Sequence, residues 1–437
     1  MFGFANFLLL ALFAAAAVDL IGAWRRCGRP VPALRALWRE EHLLFGGWGA
    51  ARRLQWGPRL FCLGLALYEF TVVFCNSMAR EQWPWVQARL APVLDVVMYL
   101  AFFGKILLGT RYSWRSLGLA GALYFIARWV YFNGQNIWFL GLAVVLLAAK
   151  DVPLRRSMRA FLASGLPALA LVEALHFAGL IAPGATSERD GSFRLLFGYG
   201  HPNTFGGVVL GLVLAWVLLR LGRLRWLELS AIAAVGVFLL AGPASRSAAL
   251  CALLLAALLA LAKRFGKGRP AGRLAAALPA ALVPLTGAVS LILPLFVIKV
   301  GPWANDIGPA WLLRLDELLT CRISLAWAAY RVLDIKIAGQ MLPDWPVLDN
   351  IFVYLLYQFG PVLLVIAATL LTAALYQYAR HGRWQEAACL VVMLLYGYME
   401  TQVLHVTSDP ALLLFSGAVF ALPFSRWNDD FRDVLSS

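Results

Sequence analysis

The sequence predicts an all-α, polytopic membrane protein, and three observations carry that prediction. Of the 437 residues, 62% are hydrophobic and 14% are charged; soluble domains average about 45–50% apolar and about 25% charged. Apolar runs of roughly 18 or more residues, enough to cross a bilayer, recur along the chain. Runs such as 248–262 (AALCALLLAALLALA) lack the alternation of barrel strands. Mean hydropathy is +0.75.

The predicted spans fall near 2–24, 60–79, 90–108, 117–132, 137–149, 160–181, 204–220, 227–243, 247–262, 274–298, 351–377, 387–405 and 410–424, about 12–13 in all, with ends good to about 2–4 residues. The run 117–149 is either two spans turned at 133–136 or one bent helix. The first run has no basic stretch before it and reads as a retained helix rather than a cleaved signal.

Basic residues set the expected orientation. About 26 of the 38 lysines and arginines fall in segments assigned to the cytoplasm, beginning with 25–59. The N-terminus is then outside and the C-terminus inside. The formal net charge of +15 is explained by loops facing an anionic leaflet, so nucleic acid is not an expected partner. The six cysteines give neither a disulfide framework nor a metal-ligand spacing. No metal and no cofactor are expected.

Four regions follow: N-terminal helices over 1–181, central helices over 182–298, a large exterior loop over 299–350, and C-terminal helices with a cytoplasmic tail over 351–437. Within the loop, Trp311, Leu312, Leu315, Leu318, Leu319, Ile323 and Trp327 recur at helical spacing across 307–337. That pattern predicts one amphipathic helix lying on the bilayer or capping a cavity. Asp349 is placed to cap the span that follows it. The in-membrane charges Glu69, Asp95, Lys105, Arg128 and Glu173 are expected to pair and hold the bundle, with Glu173 and His176 also able to reach an exterior cavity.

The chemistry concentrates on the exterior face. Arg194, Arg246, Arg322 and Arg331 lie where positive charge is scarce, and guanidinium groups match phosphate oxygens. Arg246 sits between two apolar spans, where a charge costs a few kcal/mol unless it snorkels or finds a partner. His201 and Asn203 precede a helix whose amino end favours anions; in the plainer alternative, Asn203 or Thr204 caps that helix and His201 only packs. Among carboxylates at this face, including Asp190, Asp306 and Asp316, Asp349 and Glu400 are best placed to act as a general base.

These residues carry a family resemblance. The chain resembles the bacterial O-antigen and exopolysaccharide polymerases and the related O-antigen ligases. Four segments match: Arg194-x3-Gly198-x2-His201-Pro202-Asn203-Thr204-Phe205-Gly206; Ser245-Arg246-Ser247; Arg322-x4-Trp327 followed by Ile337-Ala338-Gly339; and Leu348-Asp349-Asn350 followed by Leu355, Leu356 and Gly360. The match runs from residue 190 to 362, while 1–180 agree only in hydropathy.

The resemblance implies a glycosyltransferase of the C type that needs neither metal nor nucleotide sugar. Its donor would be an undecaprenyl-diphosphate-linked oligosaccharide at the outer face of the bacterial cytoplasmic membrane, with a flippase and a chain-length regulator as possible partners. It implies that Arg194, Arg246 and Arg322 engage the diphosphate or glycan and that His201 and Asn203 shape the site; Arg331, on the loop helix, is a substrate-binding candidate by its exterior charge alone, with a solvated face as the alternative. Many relatives have a histidine near the position of Asp349 or Asn350, so the base falls to Asp349 here, with His201 and Glu400 as the other candidates. Two alternatives stand beside polymerisation: ligase-type transfer to a terminal acceptor, and, from another class, a lipid-linked oligosaccharide flippase or transporter.

Overall fold

The computed structural model describes residues 2–27, 37–38, 41–45, 49–182, 188–189, 192–266, 270–297 and 308–416. Helix dominates, as an apolar chain in lipid requires, because only helices satisfy their backbone polar groups within one segment. In chain order they are α1 (Phe2–Cys27), α2 (Ala50–Cys75), α3 (Ala79–Gln82), α4 (Ala91–Leu108, led by a π-turn Val86–Leu90), α5 (Trp114–Gly134), α6 (Ile137–Ala148), α7 (Leu154–Phe177), α8 (Pro202–Leu219), α9 (Trp226–Ala241), α10 (Arg246–Leu261), α11 (Arg273–Ile292), α12 (Ala310–Leu318), α13 (Arg322–Val332), α14 (Ile351–Tyr354), α15 (Pro361–Arg380) and α16 (Trp384–Met399).

Among the described residues seven helices are long and apolar enough to cross a membrane, with α6 and α9 as shorter apolar helices. The bundle packs as a chain of neighbours: α4 on α2, α2 on α7, α7 on α8, and α10 on α16, with α9 against α10 and α11 against α15. Outward-facing apolar side chains such as Leu274, 87% exposed, and Leu227, 80% exposed, suit a lipid surround rather than water.

The run 117–149 is two helices, the first of its two readings: Gln135 takes a left-handed conformation, φ 54°, and Asn136 caps α6 by accepting from Phe139 N at 3.1 Å. Other expectations are corrected. The expected loop helix over 307–337 is broken into α12 and α13, because Thr320 and Cys321 both have positive φ, which a continuing helix excludes. Part of the loop, including Asp306, lies outside the described residues, as do Asp190 and the end of the last expected span. The span 351–377 is interrupted at Gly360, where φ is 86°, a conformation glycine adopts without strain. Helix α16 stops at Met399, and Glu400 lies in extended backbone before a 3-10 turn Thr401–Leu404.

The expected internal ion pairs also fail to form. Glu69, Asp95, Arg128 and Glu173 make no ion pair among the described residues. Lys105 satisfies its ammonium with oxygens instead: Gly109 O at 3.1 Å, Thr110 Oγ1 at 2.6 Å and Lys150 O at 2.9 Å. Cohesion comes from close helix approach. At Gly211 of α8 an added Cβ would lie 1.8 Å from Thr407 O, a backbone atom that cannot rotate away. Gly211→Ala is therefore expected to destabilise by at least the roughly 1–3 kcal/mol of an overpacked core, read as a lower thermal unfolding temperature in detergent.

Candidate functional site

The site forms where the amino ends of α8, α10, α13 and α14 meet the carboxyl end of α16. Each chain segment that enters it is held from outside. The pair Glu188–Arg189 and Ser192–Phe193 forms a small antiparallel hairpin leading into Arg194. Ser77 bridges to Tyr199, Met78 N donates to Gly198 O at 2.9 Å, and Tyr199 Oη donates to Val73 O at 3.1 Å. These contacts dock the segment before His201 onto the end of α2.

Buried at the centre is an ion pair. Arg322 Nη2 donates to Glu400 Oε1 at 2.8 Å, and the two side chains are only 8% and 6% exposed. The rest of the guanidinium is also occupied: Nε donates to Met399 O at 2.6 Å and Nη1 to Leu319 O at 2.9 Å. Glu400 Oε1 further accepts from Asn203 Nδ2 at 2.7 Å and from Ser247 Oγ at 2.9 Å. Removing two charges from water costs several kcal/mol per ion, which such bonding offsets.

Asn203 is the clip between this pair and Arg194. Its Oδ1 accepts from Ser245 Oγ at 3.3 Å and lies 3.5 Å from Arg194 Nη2. Arg194 also donates to Ala244 O at 3.1 Å and to Pro243 O at 3.4 Å, fixing the turn in which Ala244 has φ 52°. Gly206, one turn into α8, makes room: a Cβ there would sit 2.2 Å from Ser245 Oγ.

Helix starts are built by different residues than expected. His201, not Asn203 or Thr204, caps α8, its Nδ1 accepting from Asn203 N at 3.1 Å. Asn350, not Asp349, caps α14, accepting from Phe352 N at 3.0 Å and Val353 N at 3.4 Å, while its Nδ2 donates to Ser290 Oγ at 2.9 Å. The amide fits this role because it accepts and donates at once. Asp316 receives the first N–H groups of α13 at Ile323 (2.8 Å) and Ser324 (3.1 Å), which orients Arg322 at the helix start. No side chain caps α10, since Ser245 is directed to Asn203.

Asp349 is thereby left at the rim. Its Oδ2 is 3.9 Å from Arg322 Nη2 with the side chain 33% exposed, too long for a hydrogen bond. Among the described residues its carboxylate accepts none. Burial raises its pKa above the ordinary value, opposed by Arg322 and His201. Burial lowers the pKa of His201, helped by Arg194 and opposed by Asp349, which favours the neutral imidazole.

The structure thus brings together Arg194, His201, Asn203, Arg322, Asp349 and Glu400. Arg246 begins α10 beside them as an exposed residue. Arg331 is not part of the group: it is exposed near the far end of α13 and stacks on Trp327 at 5.7 Å. Sequence reasoning missed Ser245, Ser247 and Asp316 as working parts, although the two serines flank Arg246 in a motif it singled out. Among the described residues no group of three or more His, Cys, Asp or Glu side chains is arranged to hold a metal.

Comparison with known proteins adds no family: no protein-family model, curated protein or solved structure matches this chain.

Arg322→Ala strands Glu400 and is expected to destabilise by about 3–5 kcal/mol. Adding Glu400→Gln removes the stranded charge, so thermal unfolding of the double variant should recover part of that loss. Equal unfolding temperatures for single and double variants would exclude the pair.

Proposed function

We propose that this protein is a polysaccharide polymerase that moves an oligosaccharide unit from a lipid diphosphate carrier onto an acceptor glycan at the outer face of a bacterial cytoplasmic membrane. The observation that carries this reading is the gathering of Arg194, Arg322 and Arg246 with the uncapped amino end of α10 at one end of an apolar bundle, beside an unbonded carboxylate. The resemblance to O-antigen and exopolysaccharide polymerases supplies the substrate class.

The charges divide by role. Glu400 balances Arg322, and Asp349 lies near both Arg322 and His201. Arg194, Arg246 and the helix amino end, whose dipole favours an anion, are the groups assigned to the diphosphate. Such fixed donors stabilise charge as the diphosphate leaves, without reorganising during the reaction. Glu400, already accepting three hydrogen bonds on one oxygen, is a positioning residue rather than a base. His201 Nδ1 is engaged by backbone, so its neutral ring carries the proton on Nε2 and donates to substrate oxygen.

Asp349 is left to take the proton from the acceptor hydroxyl. Attack by that oxygen on the anomeric carbon forms the new glycosidic bond, breaks the bond to the diphosphate and inverts the centre. The freed lipid diphosphate keeps the bonding electrons, and the proton passes to Asp349. Ligase-type transfer uses the same donor and differs only in the acceptor.

Reconstitution with a defined lipid-diphosphate repeat unit, followed by gel analysis of the product, tests this. Arg194→Ala and Arg246→Ala are expected to slow polymer formation by about 10²–10³-fold while protein remains in the membrane; normal product lengths in both would overturn the assignment. Asp349→Asn is expected to lower the rate about 10²–10⁴-fold. Because a base works deprotonated and the pKa of Asp349 is raised, kcat/KM should fall with decreasing pH at higher pH than an ordinary aspartate would give. An acid limb that persists unchanged in residual Asp349→Asn activity would assign it elsewhere.

A further inference from the structure

A cavity lies at the same end of the bundle, between α2, the Val86–Leu108 helix and α6, with a volume of about 270 Å³. That is close to the lower limit of small-molecule sites, about 300 Å³, which favours a single ring over an extended chain. Its lining combines apolar walls with polar groups that the protein leaves unused. Thr71 Oγ1 is buried and has no hydrogen-bond partner. Among the described residues the side chains of Asn76, Arg80, Gln87 and Asp95, which also line it, make no hydrogen bond or ion pair. A buried hydroxyl without a partner is unfavourable, so a ligand supplying complementary groups would be favoured.

The chemistry of that ligand follows from the lining. One cation, Arg80, and one anion, Asp95, leave the cavity without net charge, which disfavours phosphate and favours a neutral molecule. Hydroxyl, amide, carboxylate and guanidinium groups together match a polyol, which both donates and accepts at each oxygen. Tyr68, Tyr99 and Trp138 add aromatic surface for the C–H faces of such a ring.

The cavity is mechanically joined to the arginine site. Asn76 and Arg80 flank the Ser77–Met78 segment that docks the strand before His201. Trp138 stacks on His405, ring centres 4.5 Å apart, in the segment that follows Glu400. We infer that this cavity binds a neutral sugar ring, and, resting on the proposed transferase reading, that the ring belongs to the acceptor glycan.

The test uses the full chain in lipid nanodiscs with methyl glycosides of hexoses, N-acetylhexosamines and 6-deoxyhexoses, observed by saturation-transfer NMR. Inorganic pyrophosphate binding is titrated separately. At least one glycoside is expected to bind, with affinity reduced tenfold or more by Asp95→Asn, Asn76→Ala or Gln87→Ala, and unchanged by Arg246→Ala. Gln87 is exposed, so its variant keeps the test valid if a buried one fails to fold. Absence of glycoside binding, or binding indifferent to all three cavity variants, overturns the cavity proposal. Pyrophosphate binding that survives Arg246→Ala and Arg194→Ala counts instead against the transferase reading, so the two failures are separable.

Discussion

The buried pair of Arg322 and Glu400 is the constraint on which the site depends. It ties the start of α13 to the end of α16, two segments far apart in sequence, through a bond of 2.8 Å. Neither charge tolerates loss of the other in so dry a place, so the position of the loop helices is coupled to the C-terminal bundle. Asn203 and Ser247 complete the same carboxylate and bring α8 and α10 into register with it. Four helices are thus fixed relative to one oxygen atom.

That arrangement separates a buried, bonded ion pair from a carboxylate left at the rim. Arg322 is bonded through all three nitrogens and Glu400 accepts three hydrogen bonds on Oε1, whereas Asp349 lies at 3.9 Å from the guanidinium and accepts none among the described residues. Asn350 makes this possible by capping α14 in place of its neighbour. The turn at Pro243 and Ala244, held by Arg194, leaves the amino end of α10 without a cap. A helix end in apolar surroundings, with arginines beside it, is suited to a bound anion. The cavity walled by Thr71, Asn76 and Asp95 sits across the docking segment from this end.

Legibility in the sequence differed with the physical origin of each feature. The turn at 133–136 was visible because Asn, Gly and Gln interrupt an apolar run. The break between α12 and α13 was not, because Thr320 and Cys321 carry no glycine or proline signal, although both take a left-handed conformation and Asp316 accepts from Ile323 N across the gap. Charge pairing was the weakest inference. Proximity along the chain says nothing about whether Glu69 or Glu173 meets a cation in three dimensions.

Composition and hydropathy by themselves determined that this chain is a helical, multi-pass membrane protein, because transfer of backbone and side chains into lipid is a summed, local property of each run. The polar residues of its exterior segments could be singled out as candidates in the same way, since charged groups in such a chain are few. Only the tertiary structure decided which of them meet. It joined Arg322 to Glu400 and Asn203, gave Asp316 and Asn350 the capping roles, left Asp349 unbonded and set Arg331 apart on its helix. Those outcomes depend on angstrom-scale distances between segments remote in sequence, and hydrogen bonds and ion pairs act only over such distances.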